Sequence, residues 1–158
     1  MNTKRILFVC TGNSCRSVMA EWLLRRALQR AGLQTVEAQS AGVFAITGMG
    51  PTRETIRVLQ EAGVDCSAHR ARMLTPQMLE EADLILAMEQ FQVEEILRRA
   101  PSARGKAHLL KTYSAEAPVD NPNIPDPIGK PLEVYEVCFA DIREAVDRLS
   151  RSLGVHSS

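Results

Sequence analysis

The chain has 158 residues, of which 45% are apolar and 24% charged, the balance of one globular domain of ordinary size. That composition excludes a mainly disordered chain and a small scaffold dependent on disulfides. Nineteen basic residues cancel nineteen acidic ones, so no net charge points to nucleic acid or a membrane surface as partner.

Apolar runs that favour strands alternate with helical patterns along the whole chain. Arg5–Cys10 is a nearly continuous apolar run ending at a turn that contains glycine, the pattern of a buried parallel strand. From Ser17 to Arg30, Met19, Trp22, Leu23 and Ala27 recur at helical spacing, and Gly32 stops the helix. Thr35–Ala41 reads as a second strand. A helix follows over Thr55–Ala62, and Thr75-Pro76 opens a short one, with threonine as cap and proline tolerated in the first turn. Asp83–Met88 is a third strand, Gln90–Arg99 a helix, and Lys106–Leu110 a fourth strand. Lys111–Pro131 holds five of the eight prolines and reads as a long loop. A last helix, Leu132–Leu153, turns Tyr135, Cys138, Phe139, Ile142, Val146 and Leu149 to one face. This order predicts an α/β fold, a four-stranded parallel sheet with helices on both faces, in a single domain spanning 1–158. Ligands of such folds bind beyond the carboxyl ends of the strands, and the first strand ends at Cys10.

Charge is uneven along the chain. Residues 1–33 carry six bases and one acid, a positive block suited to an anionic ligand. There is no apolar stretch long enough to span a bilayer, and the run Ile6–Cys10 is too short for the core of a signal peptide. A cytoplasmic location with reduced thiols is therefore expected. Cys10, Cys15, Cys66 and Cys138 lack the paired spacing of a zinc site, so no metal is expected and the cysteines are read singly.

Cys10-Thr11-Gly12-Asn13-Ser14-Cys15-Arg16-Ser17 joins the first strand to the first helix. Backbone N–H groups at a helix N-terminus, with the helix dipole, form an anion site. Gly12 and Asn13 are residues that tolerate positive φ, which curling a loop around an oxyanion often requires. Arg16 offers a bidentate partner for two phosphate oxygens. The same field favours the thiolate of Cys10, a nucleophile beneath a bound tetrahedral anion.

At these residues the chain resembles the low-molecular-weight protein tyrosine phosphatase family. The resemblance runs, in order, through the CTGNSCRS loop, Met19-Ala20-Glu21, Ser40-Ala41-Gly42, Ser67-Ala68-His69-Arg70, Ala82–Leu86 and Asp126-Pro127. It implies Cys10 as nucleophile, Arg16 as phosphate clamp and the amides of Thr11, Gly12, Asn13, Ser14 and Cys15 as phosphate donors. It also implies Ser17 as the hydroxyl bonded to the thiolate, and Asn13, Ser40 and His69 as the network that shapes the loop. Asp126 then corresponds to the general acid, with Asp120 a lower-ranked candidate. In many family members a cysteine placed like Cys15 forms a reversible disulfide with the nucleophile. The implied activity needs no cofactor, and the implied partner is a phosphorylated protein.

The family divides by substrate. Its tyrosine phosphatases carry a bulky aliphatic residue where Ser14 stands and two tyrosines where Ile128 and Gly129 stand. A hydroxyl residue at Ser14 resembles the bacterial protein-arginine phosphatases, because a small polar side chain leaves room for a planar guanidinium. Against that branch, Ser14 is not the usual threonine, Val18 replaces a proline, and Ile128 replaces an aromatic residue. Phe44 is the remaining wall for the substrate. Phosphoarginine is the favoured substrate and phosphotyrosine the alternative. Thioredoxin-linked arsenate reductases share the loop but need two further cysteines, and none lies between Cys66 and Cys138. A phospho-reader without turnover fits poorly, since nucleophile, clamp and acid are all present.

Overall fold

A computed structural model describes residues 3–155. In chain order the elements are β1 (Lys4–Cys10), α1 (Arg16–Ala31), β2 (Val36–Gly42), α2 (Arg53–Glu61), α3 (Pro76–Glu81), β3 (Leu84–Ala87), α4 (Gln90–Arg99), β4 (Ala107–Leu109), α5 (Leu110–Tyr113) and α6 (Leu132–Ser152), with one 3-10 turn at Pro101–Ala103. Side chains of β1 alternate between two apolar layers. Ile6, Phe8 and Cys10 join the layer with α1, α2 and α6, whereas Leu7 and Val9 join the layer with α3 and α4. A strand covered on both sides has to be apolar at every position, which is why the run reads as continuous.

All four strands are parallel, in the order β2-β1-β3-β4, with Ile6 opposite both Ala38 and Leu84. The chain passes from β1 through α1 to β2 on one side, then crosses back through α2 and α3 to β3 on the other. The strand order thus reverses at β1, and its carboxyl end is the crevice where α/β sheets hold their ligands.

Local chemistry sets the helix ends. Gly32, at φ 66°, closes α1 in the left-handed conformation. The Thr75 hydroxyl accepts the Met78 N–H at 3.2 Å ahead of Pro76. Thr52 does the same for Thr55 N–H at 3.2 Å, so α2 begins two residues before the predicted start.

The stretch predicted as loop from Lys111 opens instead with the short helix α5, whose Leu110 is buried in the core. That anchor carries one helical turn before the prolines begin at Pro118. Phe139 is only half-buried at the edge of the α6 face, where Ala145 and Ser150 are buried as well. The rest of the long loop is stitched to the sheet: the Ile124 N–H donates to the Met88 carbonyl at 2.9 Å, and the Gln90 N–H to Asn123 Oδ1 at 2.8 Å. Among the described residues, no helix is long and apolar enough to cross a membrane.

Candidate active site

The loop between β1 and α1 wraps around the sulfur of Cys10. The Asn13 N–H points to Cys10 Sγ at 3.3 Å, and Ser17 Oγ lies 2.9 Å from the same sulfur. Asn13 Nδ2 already donates to Ser17 Oγ at 2.8 Å, which leaves the hydroxyl proton free for Cys10. Helix α1 begins after Cys15 with no side-chain cap and no acid in its first turn. Among the described residues, no protein acceptor takes the N–H groups of Thr11, Gly12, Ser14 or Cys15. Unpaired amides at a helix start are donors for an anion.

Asn13 holds this shape. It is the one non-glycine residue with positive φ (54°) among the described residues. Gly12, which tolerates the same conformation, does not adopt it, and a Cβ added there would meet Ser14 Oγ at 3.5 Å, an ordinary contact. Every polar group of Asn13 is bonded. Besides the two bonds above, Nδ2 donates to Ser40 Oγ at 2.9 Å, Oδ1 accepts the Arg72 N–H at 2.9 Å, and the carbonyl faces His69 Nε2 at 3.2 Å. The network continues from Ser40 Oγ to Glu21 Oε1 at 2.5 Å. Burial pushes the His69 pKa down, against the pull of Glu21 and the bond to Asn13, so the ring is neutral at neutral pH. The Trp22 indole donates to Nδ1 at 3.4 Å, which puts the His69 proton on Nε2, toward Asn13.

Arg16 is buried to 1% exposure beside the cup. Its Nη1 donates to Glu89 and, at 2.7 Å, to the Ile124 carbonyl, while Nη2 lies 3.6 Å from Asp126 Oδ2. Burial works against the guanidinium charge, but Cys10, Glu89 and Asp126 outweigh it and leave its pKa above the ordinary value. Nε is buried with no partner among the described residues. Asp126 is exposed, and its Oδ1 accepts the Ile128 N–H at 3.1 Å, which aims the carboxylate. Asp120 makes no hydrogen bond or ion pair to the cup among the described residues.

The rim is built from several elements. Ser14 is buried, its carbonyl bonded to the Thr52 N–H at 3.2 Å. The Cys15 thiol contacts Thr52 Oγ1 at 3.6 Å and the Tyr135 hydroxyl at 3.7 Å. Phe44 is 63% exposed, and its N–H donates to the Thr11 carbonyl at 2.9 Å. The Arg99 guanidinium lies 5.9 Å from the Phe44 ring, donates to the Val43 carbonyl at 2.9 Å and pairs with Glu95 at 2.7 Å. Ile128 is exposed. Among the described residues, no group of three or more His, Cys, Asp or Glu side chains is placed to hold a metal ion.

A model of the low molecular weight phosphotyrosine protein phosphatase family matches residues 5–157. The chain belongs to this family. Its members include a protein-arginine-phosphatase of Geobacillus stearothermophilus, 39% identical over 149 residues, which are 94% of this chain and 95% of that one. A probable low molecular weight protein-tyrosine-phosphatase, EpsP of Ralstonia solanacearum, is 38% identical over 91% of this chain and 92% of its own. The solved structure of the YwlE arginine phosphatase from Geobacillus stearothermophilus superposes with a TM-score of 0.85 at 37% identity, covering 96% of this chain and 93% of that chain. The chain is accordingly a cysteine-dependent phosphatase with the four-stranded parallel sheet of its relatives.

The phosphatase brings together Cys10, Arg16 and Asp126, with Ser17, Ser40 and His69 around them. Cys66 and Cys138 are packing thiols, whose pKa values burial pushes up to about 11 and about 12. Sequence reasoning misses four supports. Glu89 and Gln92 form the capping box of α4 while reaching the cup, Glu89 through Arg16 and Gln92 through Thr11 Oγ1 at 3.1 Å. The box signature begins with Ser, Thr, Asp or Asn, so a Glu at its head gave no readable signal. Arg72 holds Asn13 Oδ1 through its backbone N–H, and its guanidinium donates to the Ser40 carbonyl at 3.2 and 3.3 Å.

Gly42 is the fourth. A Cβ there would lie 2.5 Å from the Thr11 carbonyl and 2.9 Å from the Asn13 nitrogen, both backbone atoms that must shift. Gly42→Ala should lower kcat/KM for p-nitrophenyl phosphate on the order of a hundredfold, as displacing a preorganised site by about 1 Å does. Gly50→Ala, whose nearest neighbour is 3.6 Å away, should leave it unchanged. Equal rates for the two variants would show that this contact does not set the cup.

Proposed function

We propose that the phosphatase hydrolyses phosphoarginine side chains of proteins, with Cys10 as nucleophile, Arg16 as clamp and Asp126 as acid and then base. The observation that carries this reading is Cys10 Sγ at the base of a cup of unpaired amides, with Arg16 beside it and Asp126 Oδ2 3.6 Å from the guanidinium. Phosphoryl oxygens bind the amides of residues 11–16 and the free Nε of Arg16. Cys10 attacks phosphorus, so an S–P bond forms as the P–N bond breaks, and Asp126 gives its proton to the leaving guanidine nitrogen. Water then attacks the phosphocysteine, Asp126 takes a proton from that water, and the S–P bond breaks to release phosphate. Ser17 and Asn13 stabilise the sulfur as it arrives and leaves by donating to it. Ser40 and His69 act one step further out by fixing Asn13.

The choice of phosphoarginine rests on the rim, because the arginine and tyrosine phosphatases named above match this chain at 39% and 38% identity. Ser14 is a small, buried hydroxyl residue on this rim, and a branched aliphatic in its place would crowd and desolvate a bound guanidinium. Phe44 supplies an exposed flat wall for the guanidinium plane, and Ile128 and Gly129 rather than tyrosines come directly after Asp126-Pro127. We place this activity in the cytoplasm, on a chain working as one domain; its four free thiols suit a reducing compartment.

Cys10→Ser should keep affinity for inorganic phosphate in calorimetry while turnover falls by more than about a thousandfold; parental hydrolysis by this variant would remove Cys10 as nucleophile. Asp126→Ala should slow phenyl phosphate by about 10²–10⁴, and p-nitrophenyl phosphate, whose leaving group needs no proton, far less. An equal loss on both substrates means that another group is the acid. Ser14→Ile should shift the ratio of kcat/KM on phosphoarginine and phosphotyrosine peptides at least about tenfold toward phosphotyrosine. A ratio unmoved by that change favours phosphotyrosine as the native substrate.

A further inference from the structure

Of the positive block at the N-terminus, only Arg16 serves the cup. Two other members, Arg26 and Arg30, sit on the last turns of α1, about 15–21 Å along the helix from its start. There they face Arg143 and Arg151 of α6 across a cleft of about 360 Å³, floored by Leu23, Ala27 and Val155. Spacing explains the convergence. Arg26 and Arg30 are four residues apart on one helix, Arg143 and Arg151 eight apart on the other, so each pair lies along one face. The one acid in the cleft is Asp147. Among the described residues, none of the four arginines has a carboxylate within 4 Å.

Arg30 and Arg151 lie in the last turns of their helices, where cations complement the dipole. Arg26 and Arg143 lie further back along their helices and have no such role; the Arg143 guanidinium also lies 6.0 Å from the Phe139 ring. Arg26 lines the cleft and also donates to the Ala62 carbonyl at the end of α2. Burial first, then the charges of Arg30 and Arg143, push its pKa down against the pull of Asp147, so the cluster repels itself. A second feature is independent of charge: Ser150, 5% exposed, lines the same cleft with a buried hydroxyl that has no partner among the described residues. Repelling guanidiniums, an unused hydroxyl and a volume in the range of small-ligand sites together describe a place for an anion.

We propose that the cleft between the C-terminal halves of α1 and α6 is a second binding site, separate from the cup, for a compact polyanion carrying several phosphates. Arg26, Arg30, Arg143 and Arg151 supply charge-assisted bonds, and the apolar floor accepts an attached carbon skeleton. The chemistry fits a free polyphosphate and a clustered phosphate headgroup equally.

Tripolyphosphate is the probe, titrated into the whole protein by calorimetry. The parent should bind two equivalents. One matches the competitive inhibition constant against p-nitrophenyl phosphate and belongs to the cup; the other weakens as sodium chloride is raised. The double variant Arg30→Gln, Arg143→Gln should lose the second equivalent, or weaken it at least about tenfold, with kcat/KM on p-nitrophenyl phosphate and the melting temperature unchanged. Phosphatidylcholine vesicles with and without phosphatidylinositol 4,5-bisphosphate, whose headgroup clusters three phosphates, separate the sources. Sedimentation with the anionic vesicles, lost in the double variant, assigns the cleft to a lipid headgroup. Binding of tripolyphosphate without vesicle binding assigns it to a free ligand. A parent that binds one equivalent at the inhibition constant and ignores both vesicles overturns the proposal, as does a double variant that keeps both equivalents.

Discussion

The structure turns on backbone N–H groups left unpaired at the start of α1 and gathered around one sulfur. Such donors are costly to leave without partners, and the loop reaches this arrangement only by placing Asn13 in the left-handed region. For a residue with a Cβ that conformation costs roughly 1–2 kcal/mol. Five polar contacts of Asn13 offset it, each worth on the order of 1 kcal/mol. The strain is held by bonds that themselves build the site, since two of them also orient Ser17 and Ser40. A cup organised before its ligand arrives has little reorganisation left when charge develops on the phosphoryl oxygens.

Arg16 raises the opposite problem, a charge buried to 1% exposure. Desolvation alone disfavours the guanidinium, and the neighbouring Cys10, Glu89 and Asp126 tip the balance back toward the charged form. Its carboxylate partners come from the start of α4 and from the proline-rich loop, so the arginine ties both to the end of β1. Helix α4 then works as a strut along one side of the site. Its capping box sends Glu89 to Arg16 and Gln92 to Thr11, and two turns later Arg99 holds the carbonyl before Phe44. One rigid element thereby sets the clamp, the first residue of the cup and the wall of the rim in mutual register.

What was legible in the sequence is what is local. The β1 run, the glycine stops and the loop from Cys10 to Ser17 are written within a few residues, and their consequences follow from periodicity and helix-end chemistry. Asp126 lies more than a hundred residues from Cys10, and only the family resemblance brought it to the site, because nothing in an Asp-Pro pair encodes where its loop docks. Docking is done by Ile124, Asn123 and Met88 through backbone and amide groups whose side-chain types carry no signature. Gly42 and Arg72 were invisible for a similar reason: one matters by lacking a side chain, and the other bonds Asn13 Oδ1 through its main chain and the main-chain carbonyl of Ser40 through its guanidinium. Of Gly12 and Asn13, the two residues that tolerate positive φ, only Asn13 adopts it, since one reversal suffices to aim the Asn13 amide at the sulfur.

The bonding pattern also separates reaction from recognition. Asn13, Ser17, Ser40 and Arg16 are tied to one another or to the cup by side-chain bonds, so a change at any of them disturbs the geometry around phosphorus. Ser14, Phe44 and Ile128 are different. Their backbones are fixed, through Thr52, Thr11 and Asp126 respectively, while among the described residues their side chains make no hydrogen bond to Cys10, Arg16 or Asn13. A tetrahedral phosphoryl group is the same whether it leaves an arginine nitrogen or a tyrosine oxygen, so discrimination has to reside in whatever touches the group beyond it. Side chains that stand on a fixed backbone, outside the bonded network, can vary in size and polarity without moving the sulfur or its donors. This gives a physical reason why one scaffold accommodates both the arginine and the tyrosine phosphatases that this chain matches almost equally.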